Sequence, residues 1–160
     1  MELRLIIFCF AISVLILCGC DSQRVFEQNI NIENRKWPKD DIKRFEFEIT
    51  DIGQSYNIYY NIRNSVAFPF HNLFLTYSLE DSTGNKLISE LQNMNLFDEK
   101  TGEPLGQGLG DIFDLQVLSV ENYMFAQPGK YTFSVQQFMR RDTLPEILSI
   151  GIRVERLKDE

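Results

Sequence analysis

Apolar and polar residues alternate along most of the chain beyond residue 44. Phe45, Phe47 and Ile49 are interleaved with Glu46 and Glu48, and Tyr56, Ile58, Tyr60 and Ile62 with Asn57, Tyr59 and Asn61. The same period recurs at Leu73, Leu75, Tyr77 and Leu79, and at Phe113, Leu115 and Val117. It returns at Tyr131, Phe133 and Val135, and at Ile150, Ile152 and Val154. Successive side chains of a strand point to opposite faces, so a period of two predicts strands with one buried face. Clusters of turn residues separate the runs: Asp51-Ile52-Gly53-Gln54-Ser55, Asp81-Ser82-Thr83-Gly84-Asn85 and Pro128-Gly129. The first two runs, joined by a short turn, predict a hairpin. Residues 86–93 are ambiguous, because Leu87 and Leu91 suit a helix as well as a strand; the neighbouring strands favour a strand. Residues 137–148 are expected to hold one short helical turn before the last strand.

Seven to eight short strands with turn clusters between them predict an all-β domain, an antiparallel β-sandwich of the immunoglobulin-like or jelly-roll-like kind. Tyr131, just after Pro128-Gly129, resembles the tyrosine corner of immunoglobulin-like sandwiches. The domain is expected to begin at Trp37-Pro38, with the single tryptophan capping the core, and to occupy residues 37–160. Residues 20–36 are polar and rich in asparagine; they are expected to form a tether reaching roughly 20–25 Å. Within them Ile30 and Ile32 alternate with Asn29, Asn31 and Glu33, so part of the tether reads equally as an edge strand.

The start of the chain breaks the pattern. Leu5 to Leu17 is apolar apart from Ser13 and follows Arg4. Thirteen helical residues reach roughly 20 Å, short of the about 30 Å hydrocarbon core of a bilayer. The run fits the apolar region of a secretory signal. It ends in Leu17-Cys18-Gly19-Cys20, which resembles the lipobox of bacterial lipoproteins: an aliphatic residue, two small residues, then cysteine. The resemblance implies cleavage before Cys20, with 1–19 as the signal peptide and lipidation of the Cys20 thiol. The competing reading is a short amino-terminal membrane helix with incidental cysteines. With a lipobox, Cys9 and Cys18 are discarded and Cys20 is alkylated, which leaves no thiol for a disulfide or a cysteine-rich zinc site. Each buried acyl methylene stabilises anchoring by about 0.8 kcal/mol, so two or more chains hold firmly.

Composition narrows the partners. The 160-residue chain carries a net charge of −7, and Glu2 and Arg4 cancel, so cleavage leaves that charge unchanged. An acidic surface argues against nucleic acid and against adhesion to anionic lipid. Thirteen phenylalanines and six tyrosines lean toward β-structure.

Candidate chemistry is sparse. Residues 102–111, GEPLGQGLGD, hold four of the nine glycines. They lack the G-x-G-x-x-G spacing and no Lys-Ser/Thr follows, so a phosphate loop is disfavoured. Positive φ or close backbone approach to another strand explains the glycines; a partner-contact loop through Gly106 and Gly108 is the functional alternative. His71 is the only histidine, and in Phe70-His71-Asn72 it reads as a turn residue rather than a base or metal ligand. Glu46 and Glu48 read as a solvated strand face, and Asp98, Glu99, Asp111 and Asp114 lack the register of an EF-hand. No catalytic residue, metal site or cofactor is expected. Residues 65–70, SVAFPF, are apolar between two strands, and fold back as a plug of the core or stay exposed for a partner. If exposed, Phe68 and Phe70, with His71 and Asn72, are the candidate partner-binding residues.

In order along the chain, the lipobox at Cys20, the entry at Trp37, FEFEI, YNIYYNIRN, FPFHNLFL, PLGQGLGDIFD, PGKYTFSVQQFMR and SIGIRVE resemble the gliding motility lipoprotein GldH family. The resemblance implies a cell-envelope lipoprotein, anchored at the outer membrane through Cys20 and required for gliding. It implies partners among envelope proteins of the gliding machinery, which is linked to type IX secretion. The expected role is structural or assembly-related, without catalysis. Two rivals stand beside it: a surface lipoprotein that binds carbohydrate through stacking on Tyr59 or Trp37, and a hydrolase using His71.

Overall fold

Each long alternating run is a strand in the computed structural model, which describes residues 21–157. The signal peptide and Cys20 lie outside the described residues. Eleven strands follow one another: β1 (Arg24–Asn31), β2 (Lys36–Pro38), β3 (Lys43–Ile49), β4 (Ser55–Ser65), β5 (Asn72–Asp81), β6 (Lys86–Asn95), β7 (Gln107–Leu109), β8 (Ile112–Met124), β9 (Gly129–Gln137), β10 (Thr143–Pro145) and β11 (Ile147–Arg156). One sheet has the order β1-β11-β4-β8-β7 and the other β3-β9-β5-β6, while β2 and β10 form a separate ribbon. All pairings are antiparallel. The fold is therefore the expected antiparallel β-sandwich.

The core lies between the sheets and is set by the alternation. Phe45, Phe47 and Ile49 of β3, Leu73, Leu75, Tyr77 and Leu79 of β5, and Tyr131, Phe133 and Val135 of β9 face Tyr56, Ile58, Tyr60 and Ile62 of β4 and Ile150, Ile152 and Val154 of β11. Rings dominate the contact: Tyr77 stacks on Phe133 with centroids 5.4 Å apart, and Phe125 meets Tyr131 at 4.5 Å.

Three expectations are corrected. Strands β3 and β4 are not a hairpin: β3 pairs with β9, and β4 with β8 and β11, so the turn at residues 51–54 carries the chain from one sheet to the other. Both runs bury one face, and the two faces meet across the sandwich. The strand count exceeds eight because β2, β7 and β10, at three residues each, are too short to show a period. No helical turn forms over residues 137–148. Instead, the buried Gln137 side chain donates to the Arg141 carbonyl at 3.0 Å and accepts from the Met139 N–H at 2.9 Å, satisfying the backbone of a loop. Of the two readings of the polar stretch, the edge strand is the one that forms: β1 pairs with β11 from Arg24↔Glu155 to Asn31↔Ser149. Residues 86–93 are strand, within β6.

Two buried tyrosines sharpen the energetics. The Tyr131 hydroxyl donates to the Gln127 carbonyl at 2.6 Å, the bond of a tyrosine corner, which holds the turn before β9. The Tyr60 hydroxyl is buried without a partner among the described residues, and burial pushes its phenol far above the usual range. The same substitution should therefore act oppositely at the two positions. Tyr131→Phe is expected to lose about 1 kcal/mol, because it removes the hydroxyl's bond to the turn before β9. Tyr60→Phe removes a desolvated hydroxyl and is expected to be neutral or stabilising. Urea midpoints of the two variants check both signs.

The sandwich has two distinguishable ends. Arg24, Ile49, Ser55, Met124 and Gly129 lie at the end where the described chain begins, with Phe26 of β1 and Phe47 of β3 in ring contact at 5.9 Å. Asn31, Ser65, Ile112 and Gln137 lie at the distal end. The nine residues of β9 span the distance, about 26 Å at about 3.3 Å per residue.

Candidate functional site

The sequence-predicted residues fall on different surfaces. Phe68 is 5 % exposed, stacking on Phe97 at 6.5 Å and meeting Phe70 edge-on at 5.6 Å. It is the core plug, and the buried ring offers no surface to a partner. Phe70 is half-buried above it. His71 is exposed, and its carbonyl accepts from the Leu96 and Phe97 amides, which holds the chain before β5 against the segment after β6. Asn72 bonds Asn93 across β5 and β6 at 2.8 Å.

The glycine-rich segment serves backbone packing. A Cβ on Gly108 would collide with the Ile112 carbonyl, and one on Gly106 would lie 2.6 Å from the Asp114 carbonyl. These two glycines let β7 lie close on β8. Two of the acidic residues nearby are engaged: Asp98 accepts from the Thr101 and Lys100 amides, which hold its carboxyl below the usual range, and Asp114 pairs with Arg63 through two bonds of 2.8 Å.

Gly106 also borders a polar recess of about 600 Å³ on the outer face of the five-stranded sheet. Outward residues of β1, β4 and β8 line it. A row of bonds runs across the strands, from Gln116 to Asn61 at 2.9 Å and from Asn61 to Glu27 at 3.0 Å. Tyr59 stands on the same side of β4, whereas Trp37 is fully buried and offers no ring to a sugar.

A second recess, of about 490 Å³, opens at the distal end. Its floor is buried Met139, its walls are Phe70 and Phe74, and Leu91 and Phe138 stand out at 53 % and 50 % exposure. Arg141 lies over the Phe70 ring and Lys39 over the Phe138 ring, each at 5.6 Å. Arg140 completes the rim. Sequence reasoning found only Phe70 here. The signal available was Phe138-Met139-Arg140-Arg141, an apolar pair and a basic pair directly after a strand.

The amino-terminal end carries an ionic clasp that the sequence did not disclose. Arg153 of β11, largely covered, donates to Glu155 at 2.5 Å, to Glu27 at 2.9 Å and to Asp21. Its hydrogen bond holds the Asp21 carboxyl below the ordinary value of 3.8. A depressed carboxylate stabilises the folded state above its unfolded pKa, and that contribution fades as pH falls through the folded value. Asp21 directly follows Cys20.

Among the described residues the structure defines an all-β sandwich domain with a polar recess and an apolar, basic-rimmed recess on its surface, and with Asp21 clasped to β11. The family model of the GldH lipoprotein matches residues 24–154. The gliding motility lipoprotein GldH homolog of Christiangramia forsetii is 31% identical over 157 residues, covering 94% of each chain. The gliding motility lipoprotein GldH of Flavobacterium johnsoniae is 27% identical over 151 residues, covering 90% of this chain and 92% of that one. This chain belongs to the GldH lipoprotein family. Among solved structures, the VP2 subviral particle of infectious bursal disease virus aligns at TM-score 0.38 and 12% identity. That alignment covers 85% of this chain and 34% of the viral chain, so this chain spans about a third of its length.

Proposed function

We propose that this protein is held at the outer membrane by lipid on Cys20 and serves gliding motility as a non-catalytic structural or assembly component of the machinery linked to type IX secretion. The names of the two relatives support the motility role. The observation that carries the structural reading is the clasp: Asp21, next to the lipidation position, is bonded by Arg153 to the sandwich. A long free tether is therefore replaced by an attachment at the sheet edge, which suits a component that holds a fixed position.

Deleting the gene is expected to abolish colony spreading, and wild-type protein to restore it. Cys20→Ser is expected to remove palmitate labelling, release the domain from the membrane fraction and fail to restore spreading. Normal spreading of the deletion strain would end the motility reading. Labelling that survives Cys20→Ser would end the anchor assignment.

A further inference from the structure

The distal recess is unlike the rest of the molecule. The chain has 23 acidic and 16 basic residues, yet the lining of this recess includes two arginines and no carboxylate. Lys39 adds a third cation over Phe138. Two large apolar side chains, Leu91 and Phe138, are half or more exposed within one small area, an arrangement that marks interaction sites more often than random surface.

The recess is also built rather than incidental. The Phe138 amide donates to the Phe74 carbonyl at 2.8 Å, and the Phe74 amide lies 3.3 Å from the Met139 sulfur. Gln137, fully buried, fixes residues 139 and 141 from beneath. Gln136 bonds the Lys39 carbonyl at 2.7 Å and so places the Lys39 segment beside the loop. Arg141 and Lys39 rest on aromatic rings instead of pairing with carboxylates among the described residues, which leaves their charge available to an incoming anion.

Position selects the class of occupant. The recess lies at the end of the sandwich away from Asp21, about 26 Å along β9. A bilayer holding the lipid on Cys20 meets the opposite end; this step rests on the anchor reading above. We infer that the recess formed by Phe70, Phe74, Leu91, Phe138 and Met139 docks an acidic segment of another envelope protein. An aliphatic or aromatic side chain of that segment enters over Met139, and its carboxylates meet Arg140, Arg141 and Lys39. Buried aromatic and arginine contacts of this kind dominate binding energy at protein interfaces.

The test uses full-length lipidated protein in cells, with the photo-crosslinking residue p-benzoylphenylalanine placed at Leu91 and, in a second strain, at Leu87, which is exposed on β6 nearer the other end. Irradiation is expected to join Leu91 to one protein through a peptide that mass spectrometry shows to be net acidic, with no such product from Leu87. Arg140→Glu combined with Arg141→Glu should lower the Leu91 yield by about tenfold or more, since like charges across an interface cost several kcal/mol. Circular dichroism and membrane fractionation of the charge-reversed protein should match the wild type. A crosslink to lipid, to a second copy of this chain or to a basic segment would overturn the inference, as would the absence of product or a yield indifferent to charge reversal. Membrane fractionation of the same strains reports separately whether the anchor reading holds.

Discussion

Trp37→Ala is expected to remove about 3–5 kcal/mol of stability, enough to unfold much of a domain whose total is about 5–15 kcal/mol. Trp37 is fully buried in β2, opposite Leu144 of β10, and its indole N–H donates to the Asp41 carbonyl at 2.8 Å. Alanine leaves a void bounded by strands that cannot all collapse into it, and strands an acceptor besides. Trp37→Phe keeps most of the volume and loses only the donor, so about 1–3 kcal/mol is expected. Circular dichroism during urea unfolding reads both, since the alanine variant loses the only tryptophan fluorophore. An unchanged midpoint for Trp37→Ala would show that the ring does not fill the core.

Gly151→Val is expected to pull β1 from the sheet, at a cost of about 3 kcal/mol. Gly151 lies in β11 opposite Asn29 on one side and Asn61 on the other. A Cβ there would meet the Asn29 side chain at impossible range and the Gln28 carbonyl at 2.5 Å. The Asn29 side chain can rotate away, but the Gln28 carbonyl is backbone, so β1 itself must shift. The specific signature is new protease cleavage within residues 24–31 while the remaining sheet signal persists. Gly53→Ala is the control: its Cβ would find nothing nearer than the Asp51 carboxylate at 3.4 Å, so a change within about 0.5 kcal/mol is expected. Intact β1 pairing in Gly151→Val would refute the account.

The long strands were legible because each buries one face, and burial of one face is what a period of two records. That period says nothing about which strand lies alongside. The runs at Phe45 and Tyr56 are adjacent in sequence and regular, yet they belong to different sheets. Strand β1 was half-legible for a physical reason: at an edge, Glu27, Asn29 and Asn31 face water, while Val25, Phe26 and Ile30 are only partly buried against the core. Its polarity resembles that of a linker. Of the candidate site, Phe68 and Phe70 were found together and then separated by the fold, one as core and one as rim. The distal recess gathers Lys39, Phe70, Phe74, Leu91 and the loop after β9, so no local window of sequence contains it. The Arg153 clasp joins residues 132 positions apart and is equally invisible.

The antiparallel pairing of β1 with β11 has a mechanical side. Inter-strand hydrogen bonds of an antiparallel pair lie perpendicular to the strands. A pull between Asp21 and the distal end would run along β1, so it would load the ladder from Arg24 to Asn31 in shear, with its bonds strained together rather than opened one by one. The Arg153 clasp sits where that load enters. Under such a load the β1–β11 pair would resist better than one whose bonds open in sequence from the edge.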